Sequence, residues 1–228
     1  GGNYAVTTNS ATGSITQAAL ALSASTGSKV YDGNTSSSGA VTVTGLTSGD
    51  SVSGSSQSFA SKNVLGTNAS TLQVNSGYTV NDGNSGGNYS VTTNSASGSI
   101  TQAALSLNAV TGTKIYDGST TSSGAVAVSG LATGDSVTST SQAFASKNVL
   151  GTNSSTLNVA GYTVTDGNSG LNYAVTTYSA IGSITQAALA LSAVTGSKVY
   201  DGSTNSAGAV AVSGLATGDS VSGSSQAF

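Results

Sequence analysis

The 228-residue chain has no cysteine, histidine, methionine, tryptophan, proline, arginine or glutamate. Each absence removes a class of chemistry. Without cysteine there is no disulfide and no thiolate nucleophile. Without histidine and glutamate there is no Ser-His-Asp triad and no glutamate acid–base pair, so the chain reads as a non-enzyme without a cofactor. Charge is also scarce. Five lysines and eight aspartates make up 6% of the residues and leave a net charge of −3, where a soluble domain is about a quarter charged. Five scattered lysines form no basic stripe for nucleic acid. Disorder of the highly charged kind is excluded as well. The longest apolar run, Ala18-Ala19-Leu20-Ala21-Leu22, falls far short of the ~20 residues that span a membrane. No initiator methionine or charged leader is seen, so the chain reads as a window onto something longer. Freedom from cysteine suits a chain that crosses an outer membrane unfolded.

What is present is order. Tyr31, Tyr116 and Tyr200 lie 85 and then 84 residues apart, and so do Asp50, Asp135 and Asp219, Phe59, Phe144 and Phe228, and Ile15, Ile100 and Ile184. The single lost residue lies where LQVNSGY (72–78) becomes LNVAGY (157–162), which predicts a shortened turn beside a strand. Solenoid coils repeat every 20–50 residues, so a period of about 85 describes a small domain with its own core. The reading divides the chain into the C-terminal part of one repeat (1–20), complete repeats at 21–105 and 106–189, and the N-terminal part of another (190–228). Each complete repeat carries two lysines against three aspartates, so neighbours repel only weakly.

Within a repeat the patterning has a period of two. NYAVTT (3–8), AVTVTGL (40–46), TLQV (71–74), YTV (78–80) and LSL (105–107) alternate small or polar residues with Val, Leu and Tyr. That predicts half-buried strands. Asp32-Gly33, Asp82-Gly83 and Ser48-Gly49-Asp50 punctuate them as turns, and Asp-Gly predicts hairpins. The fold class is therefore all-β: a tandem array of small sandwich-like domains, Ig-like or β-grasp-like, forming an elongated rod. ITQAALALSA (15–24) has neither Pro nor Gly and is expected to run as one continuous strand shared by neighbouring repeats.

The motifs KVYDGxT, GLxxGDSV, FASKNVLGT, GNYxVTT and GSITQAAL recur in that order with fixed spacing through both complete and both partial repeats. Together they resemble the YDG and related Gly-rich, mostly-β (MBG) repeats of large bacterial surface adhesins of the filamentous-haemagglutinin kind. One departure is Ile-Thr-Gln-Ala (15–18, 100–103, 184–187) where the family has Ile-Thr-Pro-Ala. Glutamine restores a backbone N–H that proline lacks. The resemblance implies a secreted protein exported by two-partner secretion and placed outside the cell, associated with a Gram-negative outer membrane or released. Its repeats would form a stalk or matrix fibre, with no enzymatic activity.

The candidate sites follow from the recurring polar residues. Tyr31-Asp32-Gly33, Tyr116-Asp117-Gly118 and Tyr200-Asp201-Gly202 are expected to open each repeat as a hairpin. The tyrosine would supply core bulk, the aspartate would close the turn and the glycine would take positive φ. Lys29, Lys62, Lys114, Lys147 and Lys198 recur amid asparagines and suggest either a Lys–Asn crosslink or a lysine whose stem packs while its amine stays wet. The second is preferred. A Ser-Lys dyad at Ser28-Lys29 or Ser61-Lys62 fails because adjacent strand residues point to opposite faces. The loops at Asp82 and Asn84, and at Asp166 and Asn168, cluster oxygen ligands with glycine as calcium loops do. Each has one carboxylate and lacks EF-hand spacing, so an Asx-bonded turn is preferred. Asn34, Asn68, Asn88 and Asn153 head short glycosylation sequons, a motif expected by chance in such a composition. The expected function is a structural stalk or fibre that attaches cells to surfaces or to a biofilm matrix, its partners being neighbouring repeats of the same chain. Two alternatives are a multivalent array for extracellular polysaccharide and a filament or sheath that associates laterally through uncharged edge strands. Ice binding by threonine rows ranks last, since an 85-residue period makes no short flat ladder.

Overall fold

The computed structural model describes residues 2–228; Gly1, assigned from sequence to the leading partial repeat, lies outside them. Strands are the only regular elements among the described residues. The chain is an all-β array of small domains, and it divides into two units, Gly1–Gln102 and Ala103–Phe228.

In the first unit nine strands follow one another: β1 (Ala18–Ser23), β2 (Gly27–Val30), β3 (Thr42–Thr44), β4 (Ser51–Ser53), β5 (Gln57–Phe59), β6 (Ser70–Val74), β7 (Thr79–Asn81), β8 (Tyr89–Asn94) and β9 (Ala96–Thr101). They build a three-stranded sheet β3-β1-β8, a four-stranded sheet β2-β9-β6-β5 and a pair β4-β7. The two opening strands lie parallel to the two closing ones. Ala18 faces Tyr89 in β1–β8, and Gly27 faces Gly98 in β2–β9, so one offset runs through both pairings. Parallel pairing of strands so far apart in sequence needs a long crossover, and the segment 31–88 supplies it. The start of the repeat thus lies beside the start of β8, and its last strand ends beside the end of β2.

The predicted alternation decides which faces are buried. Leu20 and Leu22 of β1 join Val80 and Tyr89 in one core cluster, with Val41, Val43, Val74, Tyr78 and Val91 packed around it. Phe59, Leu72 and Ile100 are buried on the four-stranded sheet. Full burial of such side chains contributes roughly 1.5–3 kcal/mol each. The leading NYAVTT segment differs from expectation: Tyr4 and Val6 are 87% and 84% exposed and form no strand. Its later copies become strands by lying against a repeat's first strand, which residues 3–8 lack among the described residues.

In the second unit the strands are β10 (Ala103–Asn108), β11 (Thr113–Ile115), β12 (Ala127–Ser129), β13 (Ser136–Phe144), β14 (Ser155–Thr165), β15 (Tyr173–Tyr178), β16 (Ala180–Thr185), β17 (Ala190–Ser192) and β18 (Ala211–Ser213). The sheets are β12-β10-β15, β11-β16-β14-β13 and β17-β18. The residue missing from LNVAGY does more than shorten a turn. β14 is the fusion of what are β6 and β7 in the first repeat, and β13 correspondingly fuses the counterparts of β4 and β5. The fused pair keeps register through irregularities between Thr138 and Ser141 and between Ser141 and Gln142.

Two expectations are corrected. The Asp-Gly turns join no hairpins: β2 ends at the YDG turn yet pairs with β9, and the Asp82-Gly83 loop leads from β7, paired with β4, to β8, paired with β1. The hairpins are β5–β6 and β13–β14, closed by the KNVLGT loops. Long-range pairing overrides the local turn signal because it buries the apolar face of each strand. Nor is ITQAALALSA one continuous strand. In its second copy β9 ends at Thr101 and β10 begins at Ala103, and in its third β16 ends at Thr185 and β17 begins at Ala190. The strands on either side serve different sheets, so the chain breaks at the glutamine.

Candidate functional site

At the end of β2 the chain reads Lys29-Val30-Tyr31-Asp32-Gly33, and the lysine explains itself. Lys29 Nζ lies 2.6 Å from Asp32 Oδ1. It also donates to the carbonyls of Asn34 at 3.1 Å and Ser36 at 3.3 Å. Its stem carries the amine to 6.0 Å from the Phe59 ring centroid. Asp32 Oδ1 in turn accepts the Asn34 N–H at 3.1 Å. The second repeat builds the same knot: Lys114 Nζ is 2.6 Å from Asp117 and donates to the Ser119 and Thr121 carbonyls. The third does so with Lys198 and Asp201 at 2.7 Å. The Lys114 hydrogen bond and the Ser119 N–H depress the Asp117 carboxyl to about 2. Burial pushes the Asp32 carboxyl up, but Lys29 and the Asn34 N–H outweigh it and hold it below its ordinary value. Asp201 is lowered by Lys198 and Ser203. So the first lysine of each repeat is a turn clamp.

The other lysine of each repeat, Lys62 or Lys147, sits in the hairpin loop. Lys62 Nζ lies 5.8 Å from the centroid of the Tyr31 ring. The crosslink chemistry meets an uneven set of partners. Asn34 Oδ1 is 3.0 Å from Lys29 Nζ, but Ser119 and Ser203 occupy that position in the copies and offer a hydroxyl. Ser28 is exposed where Lys29 turns inward, so that pair does not meet as a dyad.

The loops proposed for calcium have a definite electrostatic sense. Asp82 Oδ1 accepts N–H groups from Asn84 at 2.9 Å and Gly86 at 2.8 Å, and Oδ2 accepts that of Asn88 at 3.0 Å. Asp166 is held alike by Asn168, Gly170 and Asn172. Asn84 and Asn168 turn their amide nitrogens onto Asn88 and Asn172. Burial raises the carboxyls of Asp82 and Asp166, and the backbone donors outweigh it and lower both. The loop is a nest of N–H groups already filled by its own carboxylate.

Two buried polar arrangements escaped the sequence reading. Gln142 is buried, and its amide imitates a strand neighbour for Val110: Oε1 accepts the Val110 N–H at 2.7 Å and Nε2 donates to the Val110 carbonyl at 2.8 Å and to Ser122 Oγ at 3.1 Å. Gln57 does the same for Ser25, and Gln226 for Val194. A Cβ on Gly124 would stand 2.3 Å from Gln142 Nε2, so glycine is required opposite the amide. The signal was available, since a glutamine stands two residues before each repeated phenylalanine. The second arrangement is a tyrosine–aspartate pair. Tyr89 Oη donates to Asp50 Oδ2 at 2.5 Å and accepts the Thr47 N–H at 2.9 Å. Tyr173 Oη donates to Asp135 Oδ2 at 2.7 Å and accepts the Ala132 N–H at 2.8 Å. The GDS aspartate thereby ties its turn to the repeat's NY strand.

The YDG tyrosines divide by environment. Tyr31 is buried, Tyr116 packs at the edge of the cluster of Ala109, Phe144, Leu157 and Ile184, and Tyr200 is 93% exposed. The core aromatics are thus Tyr31, Phe59, Tyr89, Phe144 and Tyr173, so the tyrosine of the turn supplies core bulk in the first repeat. Within the second unit, Tyr116 Oη donates to Asp219 Oδ2 at 2.8 Å, reaching from one repeat into the next. Lys147 Nζ lies 3.9 Å from Asp219 Oδ1. A groove of about 510 Å³ opens beside this contact, lined by Tyr116, Asn148, Gln186, Leu215 and Asp219 among others.

The family comparison matches the turn and the strands just described. The YDG domain family matches residues 16–96 and again residues 101–180. No curated protein and no solved structure matches the chain. The two matches cover most of the chain, each spanning one lysine-clamped Tyr-Asp-Gly turn and its closing NY strand, and the chain belongs to the YDG domain family as a tandem YDG repeat.

Proposed function

We propose that this chain is a structural segment of a secreted bacterial surface adhesin, a stalk or extracellular fibre that holds cells to a surface or a biofilm matrix. The observation that carries the reading is the parallel pairing of each repeat's first and last strands. An antiparallel arrangement would return the chain to where it began. Parallel pairing lets it leave a repeat at the far end of the ribbon it entered, as a domain strung end to end requires. Low charge and freedom from cysteine support export through an outer-membrane pore and residence outside the cell. The reading includes no catalytic step.

Small-angle scattering on chains of one, two and three repeats tests it. The maximum dimension should rise linearly, by about 30 Å or more per added repeat on the size scaling of compact domains. Dimensions that level off as repeats are added would overturn the stalk.

A second reading rests on the groove beside Tyr116. Its aromatic ring and the amides of Asn148 and Gln186 supply the stacking surface and neutral hydrogen-bonding groups that a polysaccharide uses. Weak binding at each junction would be multiplied over many copies. A glycan array probed with this chain and with the Tyr116→Ala variant tests it: binding lost in the variant supports the groove, and equal or absent binding removes it.

A further inference from the structure

We propose that the YDG tyrosine is a hook and the GDS aspartate its receptor, so that the family's signature turn is the means by which one repeat recognises the next. Four observations point there. The Tyr116 hydroxyl crosses from its own repeat to Asp219 of the following one, at 2.8 Å. Lys147, from the hairpin loop of the same repeat as Tyr116, approaches the other oxygen of that carboxylate at 3.9 Å. The backbone is also close: a Cβ on Gly118, at φ +80°, would lie 3.3 Å from Ala216 Cβ and 3.4 Å from the Thr217 carbonyl oxygen. Finally, Tyr200 carries the same motif and the same lysine clamp while 93% exposed, so the clamp forms whether or not the tyrosine is docked.

The receptor has capacity for this task. Asp50 and Asp135 each hold their own repeat's tyrosine through Oδ2. A carboxylate offers about four lone-pair sites, so the same group accepts a second hydroxyl from the preceding repeat. One aspartate then couples the closing of its own repeat to the docking of its neighbour. The lysine clamp engages Asp117 within its own turn, while the adjacent tyrosine reaches Asp219. None of this depends on the adhesin reading, since it concerns how repeats meet and not what the array attaches to.

Native-state hydrogen exchange on the 228-residue chain tests the hook, comparing Tyr116→Phe, Asp219→Ala and the double variant. Tyr116→Phe keeps the ring and removes only the hydroxyl. Exchange at the paired amides of β17 and β18 should quicken about tenfold or more, as expected for loss of a hydrogen bond to a charged acceptor. Exchange in β14 and β16 should stay within about twofold of the parent. The double variant should quicken exchange no more than the stronger single one, because both remove the same bond. Unchanged exchange in β17 and β18 would overturn the proposal. So would equal quickening in β14 and β16, which would make Tyr116 a core residue of its own repeat. Additive effects in the double variant would overturn the pairing with Asp219.

Discussion

At the residue scale the least expected feature is how few polar groups organise each repeat. Gln142 stands in for a whole strand neighbour, so Gln142→Ala leaves the Val110 N–H and carbonyl without their partner. At about 0.5–1.5 kcal/mol for each of these part-buried hydrogen bonds, the variant should lose about 2 kcal/mol in urea denaturation. Gly124→Ala should do comparable damage, since its Cβ would fall 2.3 Å from the Gln142 amide nitrogen. The opposite case is Ser155, whose buried hydroxyl has no hydrogen-bond partner, as is also true of Ser70. Ser155→Ala removes a desolvation penalty, so the variant should be neutral or up to about 1 kcal/mol more stable. The clamped aspartates add a pH signature. Asp117 has a folded pKa of about 2, below its ordinary 3.8. A depressed carboxyl contributes stability above its unfolded value and loses it as pH falls through the folded one. Thermal midpoints should therefore fall between about pH 4 and pH 2, and Asp117→Asn should flatten that fall. A slope unchanged in Asp117→Asn would mean that other carboxylates carry the acid sensitivity.

At the element scale the period-two patterning identified strand faces well. Leu20 with Leu22, Leu72 with Val74 and Leu105 with Leu107 all face inward as read. Strand partners were not legible. Asp-Gly is a statement about local φ, and it says nothing about which distant strand a segment will bury against. Hence Asp-Gly in the YDG turn suggests a hairpin, whereas its strand pairs across the repeat with β9. The one-residue difference between repeats gives an element-scale test. Replacing residues 159–161, Val-Ala-Gly, by Val-Asn-Ser-Gly restores the first repeat's turn. Amide protection should then be lost across the introduced Asn-Ser-Gly turn, splitting β14 into two strands, while Leu157 stays protected. A β14 protected throughout would show that flanking side chains, and not chain length, decide the fusion.

At the scale of the whole molecule, the repeat is a closed piece of bookkeeping. The first strands of a complete repeat are completed by its last, so it carries its own core of leucines, an isoleucine, a phenylalanine and a tyrosine. That is why a chain with so few aromatic and charged residues can fold: the inward leucines, isoleucines and phenylalanines of each complete repeat are almost fully buried. Within the second unit, Tyr116 and Lys147 reach from one repeat to Asp219 of the next. A joint of this kind separates the stability of a repeat from the stiffness of the array. Variants at the joint should change scattering dimensions while leaving the unfolding midpoint of the repeats within a few degrees.

The sequence by itself determined the repeat, its period and the strand-forming faces, because composition and spacing are properties of the chain alone. It also marked every residue of the Lys-Tyr-Asp-Gly turn without saying what the lysine was for. Only the tertiary structure decided the parallel closure of each repeat, the glutamine that serves as a strand neighbour and the reach of Tyr116 to Asp219. Each of these joins groups 32 to 103 residues apart in the chain, and such pairs are chosen by which apolar faces and buried polar groups satisfy one another in space.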